Sequence, residues 1–271
     1  MPEHVTAPVV GLELTILLLG VGLWWRLALS PHARANRHPA VLVPWDAAMS
    51  EFLLFLWMIF CGAIVGEFLA SSLFSLVRLD EAGKIILGTA LFDLGMLAGI
   101  AFFRSRYARA TPAPAAAQSG NVFLSGTATM LAAMPLVYAV GAAWQYALQL
   151  CGLPVEAQDI VARFAQAKSP GFLLVMTVVA TVLAPIAEEL IFRAGIFRYL
   201  RTRLPRWAAL LVPACLFAAL HQSLANFAQL AALGIVFSLA YERTGRIGTS
   251  IVAHGLFNLH SIVLILLGVT A

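Results

Sequence analysis

Charge is what this chain has least of. Only 11% of its 271 residues are Asp, Glu, Lys or Arg, 61% are hydrophobic, and the mean hydropathy is +0.90. With repeated apolar runs of about 20 residues, this excludes an ordinary solvated surface and identifies a polytopic helical membrane protein. Alternating polar–apolar segments of about ten residues are missing, which argues against a transmembrane barrel. Cysteine is scarce: Cys61, Cys151 and Cys215 are scattered and mostly lie in apolar segments. They offer neither a disulfide framework nor a metal spacing such as C-x-x-C. The start of the chain has no basic n-region, because Glu3 precedes the first apolar run. That run is a poor signal peptide and a better first span.

What remains is an all-α pattern, a polytopic transmembrane bundle of about eight helices. The spans are 9–29, 50–71, 85–103, 127–148, 171–199, 207–222, 227–241 and 249–268. The fifth, about 30 residues with Pro185 inside it, is a long tilted helix, a kinked one, or two helices broken at the proline. Arginines gather in alternate loops: Arg34 and Arg37; Arg104, Arg106 and Arg109; Arg198, Arg201, Arg203 and Arg206; Arg243 and Arg246. The other loops are balanced or bare. The positive-inside rule then puts these four loops in the cytosol and both termini outside. Topology thus accounts for most of the net charge of +4, and no nucleic-acid partner is needed. Trp24, Trp25 and Trp45 suit anchoring at the interface. The Pro-, Ala- and Ser-rich stretch 105–121 reads as a linker. It divides a three-span N-terminal region (1–121) from a five-span C-terminal region (122–271), and 157–168 suits a surface amphipathic helix.

Against this background, Glu188, Glu189 and Arg193 stand out inside the fifth apolar run. A charge at mid-membrane costs about 2.5–3.5 kcal/mol on insertion scales, so retained charge is a functional-site hypothesis. Glu189 and Arg193 are i, i+4 and can pair on one helix face, while Glu188 points about 100° away. A structural ion pair between helices is the plain alternative, but nothing local compensates Glu188. Downstream, Phe217 and His221 are four residues apart near the end of the sixth span, and His254 and Asn258 share one face of the eighth. At about 1.5 Å per residue, Glu188, His221, His254 and Asn258 come within roughly 10 Å of one another in depth. Helix tilt can absorb that. Glu13, Glu67 and Asp93, in the first three spans, have no partner that the sequence names.

The order Glu-Glu-x-x-x-Arg, Phe-x-x-x-His, His-x-x-x-Asn, each on an apolar helix, resembles the CPBP family, the CaaX protease and bacteriocin-processing (Abi) group that includes type II CaaX prenyl endopeptidases. The resemblance covers 171–264. One small departure is Arg193-Ala194-Gly195 where the family has Arg-Gly. The resemblance implies an intramembrane endopeptidase of the glutamate type without a cofactor. Glu188 would activate a water and His221 would help hold it. His254 and Asn258 would stabilise the tetrahedral oxyanion, with Glu189, Arg193 and Phe217 in support. The implied substrate is a peptide or membrane protein, prenylated or carrying a leader, cut in what the composition suggests is a bacterial plasma membrane.

The chemistry is coherent by itself. A carboxylate in low dielectric is a better base than in water, and donors preorganised for an oxyanion contribute about 10²–10³ in rate each. Three other readings remain at this stage. Two histidines and a glutamate could hold a zinc ion with an open position, although there is no His-Glu-x-x-His pair. A non-catalytic scaffold or bacteriocin-immunity protein could bind a partner in the same place. A proton-coupled transporter could use the same groups as a relay.

Overall fold

A computed structural model describes residues 7–35, 40–43, 45–107, 120–155, 164 and 169–269. Among these, all regular structure is helical. Helix α1 (Ala7–Trp24) continues as a π-helical turn to Leu29, and α2 is the short Pro31–Ala35. Then come α3 (Met49–Leu76), α4 (Glu81–Arg106), α5 (Val122–Leu150) and the long α6 (Pro170–Leu200). The chain ends in α7 (Arg206–Leu220), α8 (Phe227–Thr244) and α9 (Ile247–Leu266). Six helical runs (7–29, α3, α4, α5, α6 and α9) are long and apolar enough to cross a membrane. The chain is an integral membrane helical bundle. The other two expected spans are helices as well, but α7 has only 15 residues and α8 ends in the polar run Tyr241-Glu242-Arg243-Thr244. Most of the expected linker, and all of the surface helix expected at 157–168 except Phe164, lie outside the described residues.

Small residues decide how tightly the first hairpin closes. Gly62 and Gly66 on α3 face Gly95 and Gly99 on α4. A Cβ at Gly62 would lie 2.1 Å from the Gly95 carbonyl oxygen, and one at Gly95 would lie 2.1 Å from that of Gly62. Lipid provides no hydrophobic drive between helices, so such close backbone contact is what dispersion can use. The hairpin then packs on the C-terminal helices through one shared core. Phe52, Phe55, Ile59, Ile100 and Phe103 from α3 and α4 meet Ile191, Phe192, Tyr199, Phe217 and Leu230 from α6, α7 and α8. Trp45, half-buried, packs against this core. Its ring meets Phe52, Phe55, Phe103 and Tyr199 edge-on at 5.4–6.1 Å.

The arginine-rich connections gather at one end of the bundle. Glu242, at the end of α8, accepts from Arg201 Nε at 2.8 Å and from Arg206 Nη2 at 2.7 Å. Its carbonyl oxygen receives the backbone N–H groups of Val41 and Leu42. Arg198 Nε donates to Val43 O at 2.6 Å, Arg203 bonds Ala47 O, and Arg246 bonds Gly120 O. The four loops that the positive-inside rule groups together are therefore neighbours in space.

Two consequences are measurable. Gly95→Val should separate α3 from α4 and lower stability by about 3 kcal/mol, the upper range for overpacking. Gly22→Ala, with nothing within 4 Å of the new methyl, should leave the melting midpoint in detergent unchanged. At Glu242, burial opposes the charge, but hydrogen bonds from Arg206 and Arg201 outweigh it and hold the carboxyl below the usual range. A carboxyl lowered on folding stabilises the fold above its unfolded value, about 4.3. That contribution fades as pH falls through the lower folded value. The melting-point gap between the protein and Glu242→Gln should be widest at neutral pH and close under acid.

Candidate active site

Pro185 sets the local geometry of α6. Having no N–H, it leaves a carbonyl one turn back without its donor. The helix widens into a π turn at Val179–Leu183, just ahead of the proline, and has a second one at Leu190–Phe197, beyond Ala184–Glu189. Such turns are frequent at functional sites. The Ala184 N–H reaches back to Val179 O, so the Ala180 carbonyl gets nothing from Ala184 or from Pro185. Asn258 Nδ2 on α9 fills the gap at 2.8 Å. One turn earlier on α9, Gly255 lies so close to α6 that a Cβ there would stand 2.3 Å from Thr181 O. The long fifth segment is thus one continuous helix, widened rather than broken at the proline.

On this seam sit the intramembrane charges. Glu189 is fully buried, and its Oε1 accepts from Arg193 Nη1 at 2.7 Å and from His254 Nδ1 at 2.9 Å. Since a carboxylate only accepts, Nδ1 donates to Glu189, and Nε2 is turned toward Glu188 Oε2, 3.7 Å away. Phe217 lies under the Arg193 guanidinium at 4.6 Å and Phe237 at 5.3 Å. The aromatic faces stabilise a cation that water cannot reach. Glu188 keeps a quarter of its side chain exposed. Among the described residues, four buried side-chain polar atoms have no hydrogen-bond partner: Asp93 Oδ2, Glu188 Oε2, Glu189 Oε2 and Arg193 Nη2. All belong to this one neighbourhood. Buried polar atoms are ordinarily satisfied, so a concentration of exceptions marks a place kept for something other than stability.

His221 stands where α7 ends. The chain closes there in a tight turn, with Gln222 in the left-handed region (φ 50°). His221 Nδ1 donates to Phe217 O at 2.7 Å, which leaves the Nε2 lone pair open. His221, His254, Asn258 and Phe217 line a cavity of about 480 Å³ between α5, α7, α8 and α9. Glu188 does not line it and meets the cavity through His254. The structure therefore brings Glu188, Glu189, Arg193, His254 and Phe217 together directly. Asn258 adjoins them through Ala180, and His221 stands across Phe217, whose ring is 4.6 Å from His221 and 5.7 Å from His254. No group of three or more His, Cys, Asp or Glu among the described residues is arranged to hold a metal ion.

Sequence reasoning found no partner for two polar contributors, Asp93 and Glu13. Asp93, only 5% exposed, interacts electrostatically with Glu188 across the contact of α4 with α6. The sequence does carry a signal for it: Asp93, Met96, Ile100 and Phe103 form one stripe of α4, the stripe that turns inward. Glu13 has partners too, accepting from Tyr138 at 2.7 Å and pairing with His260 Nε2 at 2.7 Å. A contact between residues 13 and 260 leaves no local trace. Glu67 stays exposed on α3.

Comparisons with known proteins concern the same part of the chain. Residues 170–260 match the family model described as type II CAAX prenyl endopeptidase Rce1-like. Over 83 residues the chain is 35% identical to a Bacillus subtilis (strain 168) protein named "Putative membrane peptidase YdiL", a stretch covering 31% of this chain and 34% of that protein. The chain spans about a third of the length of that curated relative. No solved structure gives a significant match. Fold and site together define an integral membrane protein with an Rce1-like segment. That segment, running from α6 into α9, is similar to the type II CAAX prenyl endopeptidases, which supports the resemblance to the CPBP family.

A buried pair broken on one side leaves a bare charge, at about 3–5 kcal/mol. Arg193→Met and Glu189→Leu should each lower the melting midpoint in detergent strongly, whereas Glu188→Gln should leave it near that of the unaltered protein. Thermal unfolding of the three variants checks this ranking.

Proposed function

We propose that this protein is an intramembrane endopeptidase that hydrolyses a peptide bond of a membrane-associated substrate with a glutamate-activated water. The observation that carries the reading is the orientation of His254. Its Nδ1 is fixed by the buried Glu189–Arg193 pair, and its Nε2 is aimed at Glu188 from the cavity wall. The substrate carbonyl would lie at the edge of the cavity, beside His254 and Glu188. Glu188 takes a proton from water, and the hydroxide attacks the carbonyl carbon. His221 Nε2 accepts a hydrogen bond from the O–H that remains on the attacking oxygen. The oxyanion is met by an N–H at His254 Nε2, the ring being oriented through Nδ1 by Glu189, and by the Asn258 N–H not engaged with Ala180. Collapse breaks the C–N bond, and the leaving amine takes the proton back from Glu188. Phe217 and Arg193 keep the arrangement dry and rigid. No metal or organic cofactor takes part in this scheme. The family resemblance suggests prenylated or leader-bearing peptides as substrates and a bacterial plasma membrane as the setting.

The test is cleavage of a peptide library, with prenylated and unprenylated members, by the protein in liposomes. Glu188→Gln should lower turnover by at least about 10²-fold, the lower range for loss of a general base. Dialysis against a strong chelator should change nothing. Equal turnover by Glu188→Gln would remove the glutamate mechanism. Loss with the chelator and recovery with zinc would replace it with metal-assisted hydrolysis by the same groups.

A further inference from the structure

The cavity has a second polar wall that the scheme above does not use. Tyr138 on α5 and His260 on α9 both line it, and Glu13 of α1 binds both from behind, each at 2.7 Å. Glu13 itself is not part of the lining, so its role toward the cavity is exerted through the two rings. The pairing also decides what His260 presents. Glu13 accepts from the Tyr138 hydroxyl and from His260 Nε2–H, which leaves Nδ1 as the ring nitrogen for another partner. No described residue hydrogen-bonds Nδ1. A carboxylate that fixes one nitrogen of a histidine and thereby aims the other is a positioning device.

Distance gives the aimed nitrogen a meaning. His260 is six residues beyond His254 on the same helix, a rise of about 9 Å. An extended peptide advances about 3.3 Å per residue. A peptide extended alongside α9 with its reacting carbonyl at His254 would bring a backbone amide level with His260 about three residues away. Apart from the histidines, the lining has no charged side chain and includes Met134, Val137, Gln145 and Leu233. Such a lining fits an apolar peptide in extended form better than a charged or a helical one.

Resting on the peptidase reading, we propose that His260, oriented by Glu13, is a substrate-binding residue. It accepts a backbone N–H of an extended apolar peptide about three residues from the scissile bond. Glu13 is a positioning residue that acts through His260, which gives the first helix a part in substrate selection.

The experiment uses the best-cleaved peptide of the liposome library, synthesised as a series in which one backbone amide at a time is N-methylated. Loss of one neutral hydrogen bond corresponds to roughly a three- to tenfold effect. His260→Phe should raise KM by that factor with kcat within about twofold, and His260→Gln, which keeps an acceptor, should recover part of the loss. Glu13→Leu should raise KM similarly, and combining it with His260→Phe should add nothing further. N-methylation at one position about three residues from the cut should raise KM for the unaltered protein and leave it unchanged for His260→Phe. Additive effects in the double variant, or an N-methyl scan that His260→Phe does not alter, would overturn the proposal while leaving the peptidase reading intact. If Glu13→Leu fails to fold, the scan on His260→Phe and His260→Gln decides alone. If no peptide of the library is cut by the unaltered protein, or bound by Glu188→Gln, both readings fall together.

Discussion

One oxygen atom organises the interior. Glu189 Oε1 receives an arginine from its own helix and a histidine from α9, with no exposure to water or lipid. Arg193 cannot lose its proton, so the carboxylate cannot be dispensed with. The carboxylate in turn fixes which imidazole nitrogen faces Glu188. Taking such a pair out of water is costly, and apolar residues of the same volume often serve stability as well or better. The bundle bears that cost where it gains an oriented histidine.

Much of the remaining architecture keeps this junction in place. Pro185 widens α6 and frees a carbonyl, and Asn258 ties it to α9. Gly255 lets α9 approach that seam closely enough for His254 to reach Glu189. Phe217 and Phe237 cover the arginine. On the other flank, the glycine-locked hairpin of α3 and α4 supplies a shared core and brings Asp93 toward Glu188. The buried polar atoms left without partners concentrate at this junction, and at the loop end Glu242 is paired on both sides. The contrast separates polar groups that hold helices together from those held ready.

How far the chain could be read beforehand depended on the range of each interaction. The i, i+4 pairing of Glu189 with Arg193 is local, and helical spacing shows it. The apolar runs and arginine loops follow from the membrane itself and foreshadow both the helices and the gathering of the loops at one end. His254 and Asn258 share a helix, so their common face was legible. That Asn258 would be engaged by Ala180 was not, because it depends on which carbonyl a proline frees on another helix. Asp93 carried a weak periodic signal on α4. Glu13 with His260 carried none, being a meeting of the first helix with the last.

The central claim is that the Glu189–Arg193 pair serves a site and not only the packing of helices. The variant carrying both Glu189→Gln and Arg193→Gln removes both charges at nearly constant volume, so it avoids the bare charge that either single change leaves. Its melting midpoint in detergent and its kcat on a library peptide should be measured together. The account predicts that the fold is regained while kcat stays at least about 10²-fold below that of the unaltered protein. Recovery of kcat along with the fold would show that the pair is a structural tie, and would contradict it.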